Sequence, residues 1–330
     1  MPPPQLEQAL LGGPLRYTRE QVAAVTGVPL EEARRLWRAM GFPNVGDEPV
    51  AFTDADVDAL RRLDRLVAGG EIDADFAVRL TRAMGQTLAR LADWQVDTFV
   101  EHVTSTAPPE TAADEVAVPH TAVERAARLL PDLELLLIYV WRRQLAAAAG
   151  RTLTAADGEL AAGSLTVGFA DLVGFTRLSR RLEEAELARL VEDFETRAAD
   201  LVAALGARLV KTLGDEVLFV ADTAPVAAEV GLQIAEAMSA DPAVPDVRVG
   251  VASGTVLTRM GDVFGTTVNR ASRLTSLARR GTVLVDRETV DALARAPAYE
   301  ASWLWRRPVR GLGLVEAAVL RRGTVTTLDA

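Results

Sequence analysis

The hydrophobic pattern of this chain changes near residue 164. Before it, apolar residues recur at three and four positions, the spacing of one face of an α-helix. After it, short apolar runs alternate with amphipathic stretches, the texture of strands and helices in turn. In the first stretch Thr18, with Gln21 three residues on, has capping-box spacing and opens a helix. Pro29 opens a second, where Leu30, Ala33, Leu36, Trp37 and Met40 share a face. Thr53 or Asp54 caps a third, with Val57, Leu60, Leu63, Leu66 and Val67 on its apolar side. Asp73 or Asp75 starts a fourth, running through Phe76, Leu80, Met84, Leu88 and Leu91 toward Trp94 and Phe99. Periodicity is lost over 104–119, which reads as a loop around Pro108 and Pro109. A last helix covers roughly 121–149 and ends near Gly150.

From Ser164 onward, 165–169, 208–210, 217–220, 247–251 and 283–285 read as strands. Helical patterns fill about 178–204, 224–240, 266–278 and 287–294. The expected class is α+β overall: an all-α domain over 1–150, a linker over 151–163, and a strand-and-helix domain over 164–330. A chain of 330 residues has room for two cores.

Composition narrows the function classes. With 49% apolar and 25% charged residues the chain is globular. It has no cysteine, which excludes disulfides and thiolate metal sites. Met1-Pro2-Pro3-Pro4 carries no signal-peptide pattern. The most apolar run, Leu133–Trp141, is far shorter than the roughly 20 residues that span a bilayer. The expectation is a soluble, cytoplasmic protein with no transmembrane segment. Net charge is -10, with 15 Arg against 22 acids in 1–150 and 21 basic against 24 acidic residues beyond. Neither half has the electrostatic footprint of a nucleic-acid binder. Of the 36 basic residues one alone is lysine, Lys211, a compact three-donor ammonium in a chain that otherwise uses arginine.

Two carboxylates stand where chemistry is expected. Asp171 ends an apolar strand, in Phe169-Ala170-Asp171-Leu172-Val173-Gly174. Asp215 lies in Leu213-Gly214-Asp215-Glu216, at a turn between strands 209–212 and 216–220. Strand-end aspartates beside glycine turns suit a hard cation such as Mg²⁺ or Mn²⁺; either taken alone reads first as an ordinary Asx turn. Farther on, Thr266 or Thr267 caps a helix on which Asn269 and Arg273 are four apart and share a face. An amide and a guanidinium so placed suit a sugar and a phosphoryl oxygen, or simply a solvated face.

Taken together these residues resemble the class III nucleotidyl cyclase catalytic domain. The resemblance spans about 164–320 and rests on four motifs in order: F-x-D-L-V-G-F-T at 169–176, K-T-L-G-D-E-V at 211–217, R-V-G-V-x-x-G at 248–254, and G-D-x-x-G-x-x-V-N-x-A-x-R at 261–273. It implies a ferredoxin-like βαββαβ core acting as a head-to-tail homodimer, with ATP as substrate and cyclic AMP and pyrophosphate as products. Asp171, Asp215 and the Leu172 carbonyl are then expected to bind two Mg²⁺ or Mn²⁺ ions per active site. Asn269 is expected to orient the ribose and Arg273 to stabilise charge on the α-phosphate. Lys211 and Asp262 match the positions that choose the base: an ammonium suits adenine N1 and a carboxylate the N6 amine, whereas guanine presents the opposite pattern. Arg248 matches a family arginine near the phosphates. Arg310 replaces the first lysine of the family's V-K-G-K-G strand end and keeps its charge; Leu312 replaces the second and does not.

The first half opens like a helix-turn-helix at Tyr17–Pro29, but Glu31 and Glu32 at the would-be recognition helix oppose phosphate. It more closely resembles the helical regulatory domains of soluble, pH-responsive actinobacterial cyclases, through Arg82-Ala83-Met84-Gly85 and Leu91-Ala92-Asp93-Trp94-Gln95. His102 and His120, carboxylates at the domain interface, or an apolar pocket for an unidentified effector are the candidate inputs. A nucleotide-responsive binding module or a guanylate cyclase is the alternative to an adenylate cyclase regulated in cis.

Overall fold

The structure is a computed structural model that describes residues 4–42, 49–106, 117–156, 163–242, 244–259, 261–304, 307–309 and 313–323. It divides into two compact units, Met1–Ala146 and Ala147–Ala330.

In the first unit the described residues form helices Pro4–Leu10, Arg19–Thr26, Leu30–Met40, Asp54–Ala68 and Ala74–Thr106, followed by Ala117–Ala156, which runs past the unit's end. Local chemistry sets where they start. Thr18 caps the second helix in a reciprocal pair with Gln21, and Thr53 does so with Asp56 for the fourth. The Phe76 amide donates to Asp73 Oδ1 at 2.6 Å, so Asp73 is the residue that opens Ala74–Thr106. Val22, Ala33, Leu36, Trp37, Phe52, Val57, Leu60, Ala77 and Val78 make the core. The Trp37 and Phe52 rings pack at 4.6 Å, and a bridge pairs Tyr17 with Phe52. Gly85 lets Ala74–Thr106 cross the end of Leu30–Met40: a Cβ there would lie 2.2 Å from the Met40 carbonyl oxygen.

Two features of this region differ from the sequence reading. The last helix does not end near Gly150 but continues to Ala156, through residues assigned to the linker. A single glycine weakens a helix by about 1 kcal/mol, too little to end one with alanine and leucine on both sides. The stripe expected to be the apolar face of Ala74–Thr106 is exposed: Phe76, Leu80, Met84 and Leu88 are all at least two-fifths accessible, and Trp94 more so. That helix instead buries Ala77, Val78, Thr81 and Val103.

The second unit is α+β. Its strands are β1 Ser164–Leu172, β2 Arg208–Thr212, β3 Glu216–Ala221, β4 Val247–Thr255, β5 Leu257–Arg259, β6 Asp262–Phe264, β7 Thr282–Asp286, β8 Tyr299–Trp303, β9 Arg307–Val309, β10 Gly313–Val315 and β11 Ala317–Arg322. Helices Phe175–Leu178 and Glu184–Ala204 follow β1, Ala224–Ser239 follows β3, Thr266–Leu277 follows β6, and Arg287–Leu293 follows β7. The main sheet runs β2-β3-β1-β4-β7-β11-β8. Its first four strands, antiparallel throughout and joined β1-helix-β2-β3-helix-β4, are the expected ferredoxin-like core. β4 and β7 pair in parallel, linked through Thr266–Leu277.

Period-two alternation sorts the side chains onto two faces. Ala170, Leu172, Val217, Phe219, Val249 and Val251 face one core, shared with Phe194, Ala198 and Val202 of Glu184–Ala204 and with Ala224–Ser239. Val167, Phe169, Leu218, Val220 and Ala252 face the other, shared with Val268, Ala271 and Leu274 of Thr266–Leu277. Gly168 leaves room for the Phe219 ring, whose nearest atom would lie 2.1 Å from a Cβ.

Candidate active site

Thr266–Leu277 is seated on the sheet by absent side chains. A Cβ on Gly250 would meet the Thr275 amide nitrogen at 2.2 Å and the Ala271 carbonyl oxygen at 2.5 Å. Gly254, at φ +150°, leaves space for Thr267, whose hydroxyl donates to the Thr255 carbonyl at 2.8 Å. The two glycines of R-V-G-V-x-x-G thus bring the helix's backbone onto β4. Asn269 and Arg273 remain on its exposed side. Among the described residues neither side chain is engaged by a partner.

Asp171 points to this same sheet face, because it continues the alternation of Val167 and Phe169. It stands in register between Glu216 of β3 and Arg248 of β4. Arg248 Nε donates to Asp171 Oδ2 at 2.5 Å. Asp215, in the β2–β3 turn, is tied to the end of β1 by its carbonyl, which accepts from the Leu172 amide at 2.9 Å. Burial foremost, and the Asp215 carboxylate after it, hold Asp171 above the usual carboxylate range although Arg248 pulls the other way. Burial also raises Glu216, and Asp171 and Asp215 add to the shift. Asp171 thus has Arg248 bonded to it while the Asp215 and Glu216 carboxylates act on it or beside it, a site short of positive charge.

That donor set fits a hard divalent cation: oxygen atoms only, and carboxylates whose crowding a cation relieves. Among the described residues no three acidic or imidazole side chains form a ready-made cage. The fit is therefore that of an open site, completed by backbone carbonyls, water or substrate oxygens.

Lys211 and Asp262 meet directly, Nζ to Oδ2 at 2.6 Å. Lys211 lies opposite Leu218 in the β2–β3 ladder, so it shares the face that carries Asp171. A register shift between Leu209 and Lys211 re-aims that strand end. Asp262 opens β6, in a β5–β6 hairpin that the sequence reading missed. Burial disfavours the Asp262 charge, but the Lys211 hydrogen bond and the Val263 amide outweigh it and hold the carboxyl below its usual value. Arg310 and Leu312 lie outside the described residues. A cleft of about 930 Å³ near the end of β1, lined by Arg177, Arg181, Arg189 and Asp193 among others, includes none of the predicted site residues.

Comparison with known proteins agrees with this geometry. Residues 160–321 match the adenylate and guanylate cyclase catalytic domain, and residues 7–146 match the adenylate cyclase regulatory domain. The chain is 52% identical over 345 residues to an adenylate cyclase of Streptomyces coelicolor, covering 96% of this chain and 89% of that one. It is 49% identical over 358 residues to an adenylate cyclase of Streptomyces griseus, covering 96% and 88%. The chain belongs to the adenylate cyclases. A pH-sensitive adenylate cyclase of Mycobacterium tuberculosis is a more distant relative, 34% identical over 310 residues, covering 91% and 77%.

The cyclase has, among its described residues, no helix long and apolar enough to cross a membrane. His102 and His120 are exposed on the two long helices of the first unit. Glu216 is the site residue that sequence reasoning passed over; its signal was its place beside Asp215 at the start of an apolar strand.

Proposed function

We propose that this cyclase converts ATP to 3′,5′-cyclic AMP and pyrophosphate at a site shared by two copies of the chain, under control of its N-terminal regulatory domain. The observation that carries this reading is the convergence of Asp171 and Asp215 on the sheet face that also bears the Lys211–Asp262 pair. Asp171, Asp215 and the Leu172 carbonyl would hold two Mg²⁺ or Mn²⁺ ions, which when bound acidify the ribose 3′-hydroxyl and neutralise the triphosphate. Lys211 would donate to adenine N1 while Asp262 accepts from the N6 amine; guanine would leave both unpaired. Arg248 offsets the charge of Asp171 and, with Arg310, would reach phosphate oxygens. Asn269 would fix the ribose, and Arg273 would meet the charge that builds on the α-phosphate in the transition state. Their exposure on the outer side of Thr266–Leu277 supports delivery to the carboxylates of a partner copy.

Complementation tests the shared site. Asp171→Ala and Asn269→Ala should each abolish cyclic AMP formation while remaining folded and dimeric. Mixed chains form one doubly damaged site and one intact site per heterodimer. At full exchange about a quarter of wild-type activity should return if the two sites act independently. Verified heterodimers without activity above the parents would overturn the shared-site reading.

A further inference from the structure

Arg270 lies between Asn269 and Arg273 in the chain, yet its side chain is three-quarters buried where theirs are exposed. It reaches across the end of the sheet to two carboxylates: Nη1 is 2.6 Å from Glu288 Oε1 and 3.3 Å from Asp286 Oδ2. Gly254 leaves space beside it, with Nη2 3.7 Å from where a Cβ would stand.

Asp286 is an unusual anchor. It ends β7 at 1% exposure. Its Oδ1 accepts from the Thr289 amide at 2.9 Å, the Thr289 hydroxyl at 2.5 Å and the Ser253 amide at 3.3 Å. The Ser253 hydroxyl shares hydrogen bonds with Thr289 at 2.8 Å and with Thr166 of β1 at 2.9 Å. Oδ2 is buried with no hydrogen bond and lies 3.3 Å from the Arg270 guanidinium. A helix N-cap needs one oxygen and no burial; this carboxylate has a second oxygen aimed at the helix that carries Asn269 and Arg273.

We propose that Asp286, acting through Arg270, is a positioning residue that fixes the rotation of Thr266–Leu277 about its axis. This rests on the reading of that helix given above. Thr267 pegs the helix's first turn to β4, and the Arg270 clamp holds the next turn. Two pegs on the inner side set the angle at which Asn269 and Arg273 leave the outer side. Displacements of about 1 Å at reacting groups can cost on the order of a hundredfold in rate, so a loosened clamp should appear in turnover.

The clamp is also sensitive to acid. Burial foremost pushes Asp286 up to about 6, against the Thr289 hydrogen bonds and Arg270, and Glu288 adds to the rise. The charged groups facing it are Arg270 from the helix and Glu288 from its own turn; the Arg287–Glu316 pair stands beside it, and β1 and β4 contribute the Ser253 amide and the hydroxyls of Thr166 and Ser253, none of them charged. Above about 6 the carboxylate holds Arg270. Below it the neutral acid leaves Arg270 to the half-exposed Glu288. Because the folded value lies above the usual 3.8, this group favours the folded state below 3.8 and that contribution is lost as pH rises through about 6. Turnover and stability therefore respond to Asp286 in opposite directions.

The test uses the full-length dimer with Mn²⁺ and ATP. Asp286→Asn should lower kcat at pH 8 by about tenfold with KM within about twofold, since positioning acts on the transition state. The acid limb of its kcat–pH profile near 6 should flatten, as should the pH dependence of its melting temperature between 4 and 7. Arg270→Gln should lose kcat similarly, and Arg270→Lys should recover part of it. Wild-type kcat and pH profiles in folded Asp286→Asn, or in Arg270→Gln where the first does not fold, would overturn the proposal. Asn269→Ala is the control. If it stays active, the reading of the helix falls and this proposal with it; if it is dead while both clamp variants behave as wild type, the positioning role alone falls.

Discussion

The two units use apolar residues differently. In the cyclase unit a seven-stranded sheet is covered on both faces, and Phe194, Phe219, Leu172 and Leu274 are all below 2% exposed. In the helical unit the main core gathers around Trp37 and Phe52, a small second cluster joins Val103 to Ala122, and elsewhere the long helices display many large side chains. Leu135, Tyr139 and Trp141 are each more than half exposed, alongside the stripe from Phe76 to Leu88. Helical periodicity is equally clear in both. What differs is whether a facing surface exists, which the pattern of one segment does not encode. A sheet provides one for every helix laid on it; a long helix past the end of its bundle finds one only where another helix meets it, as at Val103 and Ala122.

The largest expected effect tests this contrast directly. Phe194→Ala removes a ring with no exposure from the packed side of Glu184–Ala204 and should destabilise the cyclase unit by about 3–5 kcal/mol. Leu88→Ala should cost less than about 1 kcal/mol, as surface changes do. Denaturant unfolding of the two variants measures both. Equal losses would mean that the exposed stripe is covered in solution, and the comparison would break.

The same contrast explains what could be read from sequence. The strand-and-helix order of 164–294 was legible because β1, β3, β4 and β7 are buried on both faces and nearly continuous in apolar residues. β5 and β6 were not, being three residues each with β5 wholly exposed. β8 was passed over although Tyr299-Glu300-Ala301-Ser302-Trp303 alternates apolar and polar residues, and β11, Ala317–Arg322, although four apolar residues open it. At the site, Asp171 with Asp215 and Lys211 with Asp262 were legible as motif residues, and the structure brings the members of each pair together. Asp286 was not: in Val285-Asp286-Arg287-Glu288 it reads as an ordinary helix cap, and its partner Arg270 is set by tertiary packing. Asn269 and Arg273 were found by spacing, but the glycines that seat their helix act through atoms they lack.

A second, smaller effect separates chemistry from packing within the cyclase unit. Lys211→Glu combined with Asp262→Cys should lower kcat/KM for ATP by about 10- to 100-fold, since polar groups matched to adenine would then be mismatched. Melting temperature should hardly move. The pair is about one-third exposed, and ion pairs of that kind contribute about 1 kcal/mol at most. Unchanged ATP kinetics would remove these residues from base recognition. A large loss of stability would make the pair part of the core and blur the distinction drawn here.

The smallest effect belongs to the helical unit, where a modest core leaves more of the work to local devices. Thr53 is 2% exposed and starts Asp54–Ala68. Its amide donates to Asp56 Oδ2 at 2.7 Å, its hydroxyl donates to the same oxygen at 2.8 Å, and the hydroxyl oxygen accepts from the Asp56 amide at 3.4 Å. Thr53→Ala would leave that amide without its side-chain acceptor and take a donor from Asp56, at a cost of about 1 kcal/mol. Thr53→Ser keeps the hydroxyl and should recover most of the loss, which separates the cap from the lost methyl group. The measurement is the unfolding transition of the helical unit, followed by far-ultraviolet circular dichroism with cyclic AMP formation as a control for the other unit. An alanine variant as stable as wild type would mean that packing around Phe52 fixes the start of this helix, so that the two units would rely on burial alike.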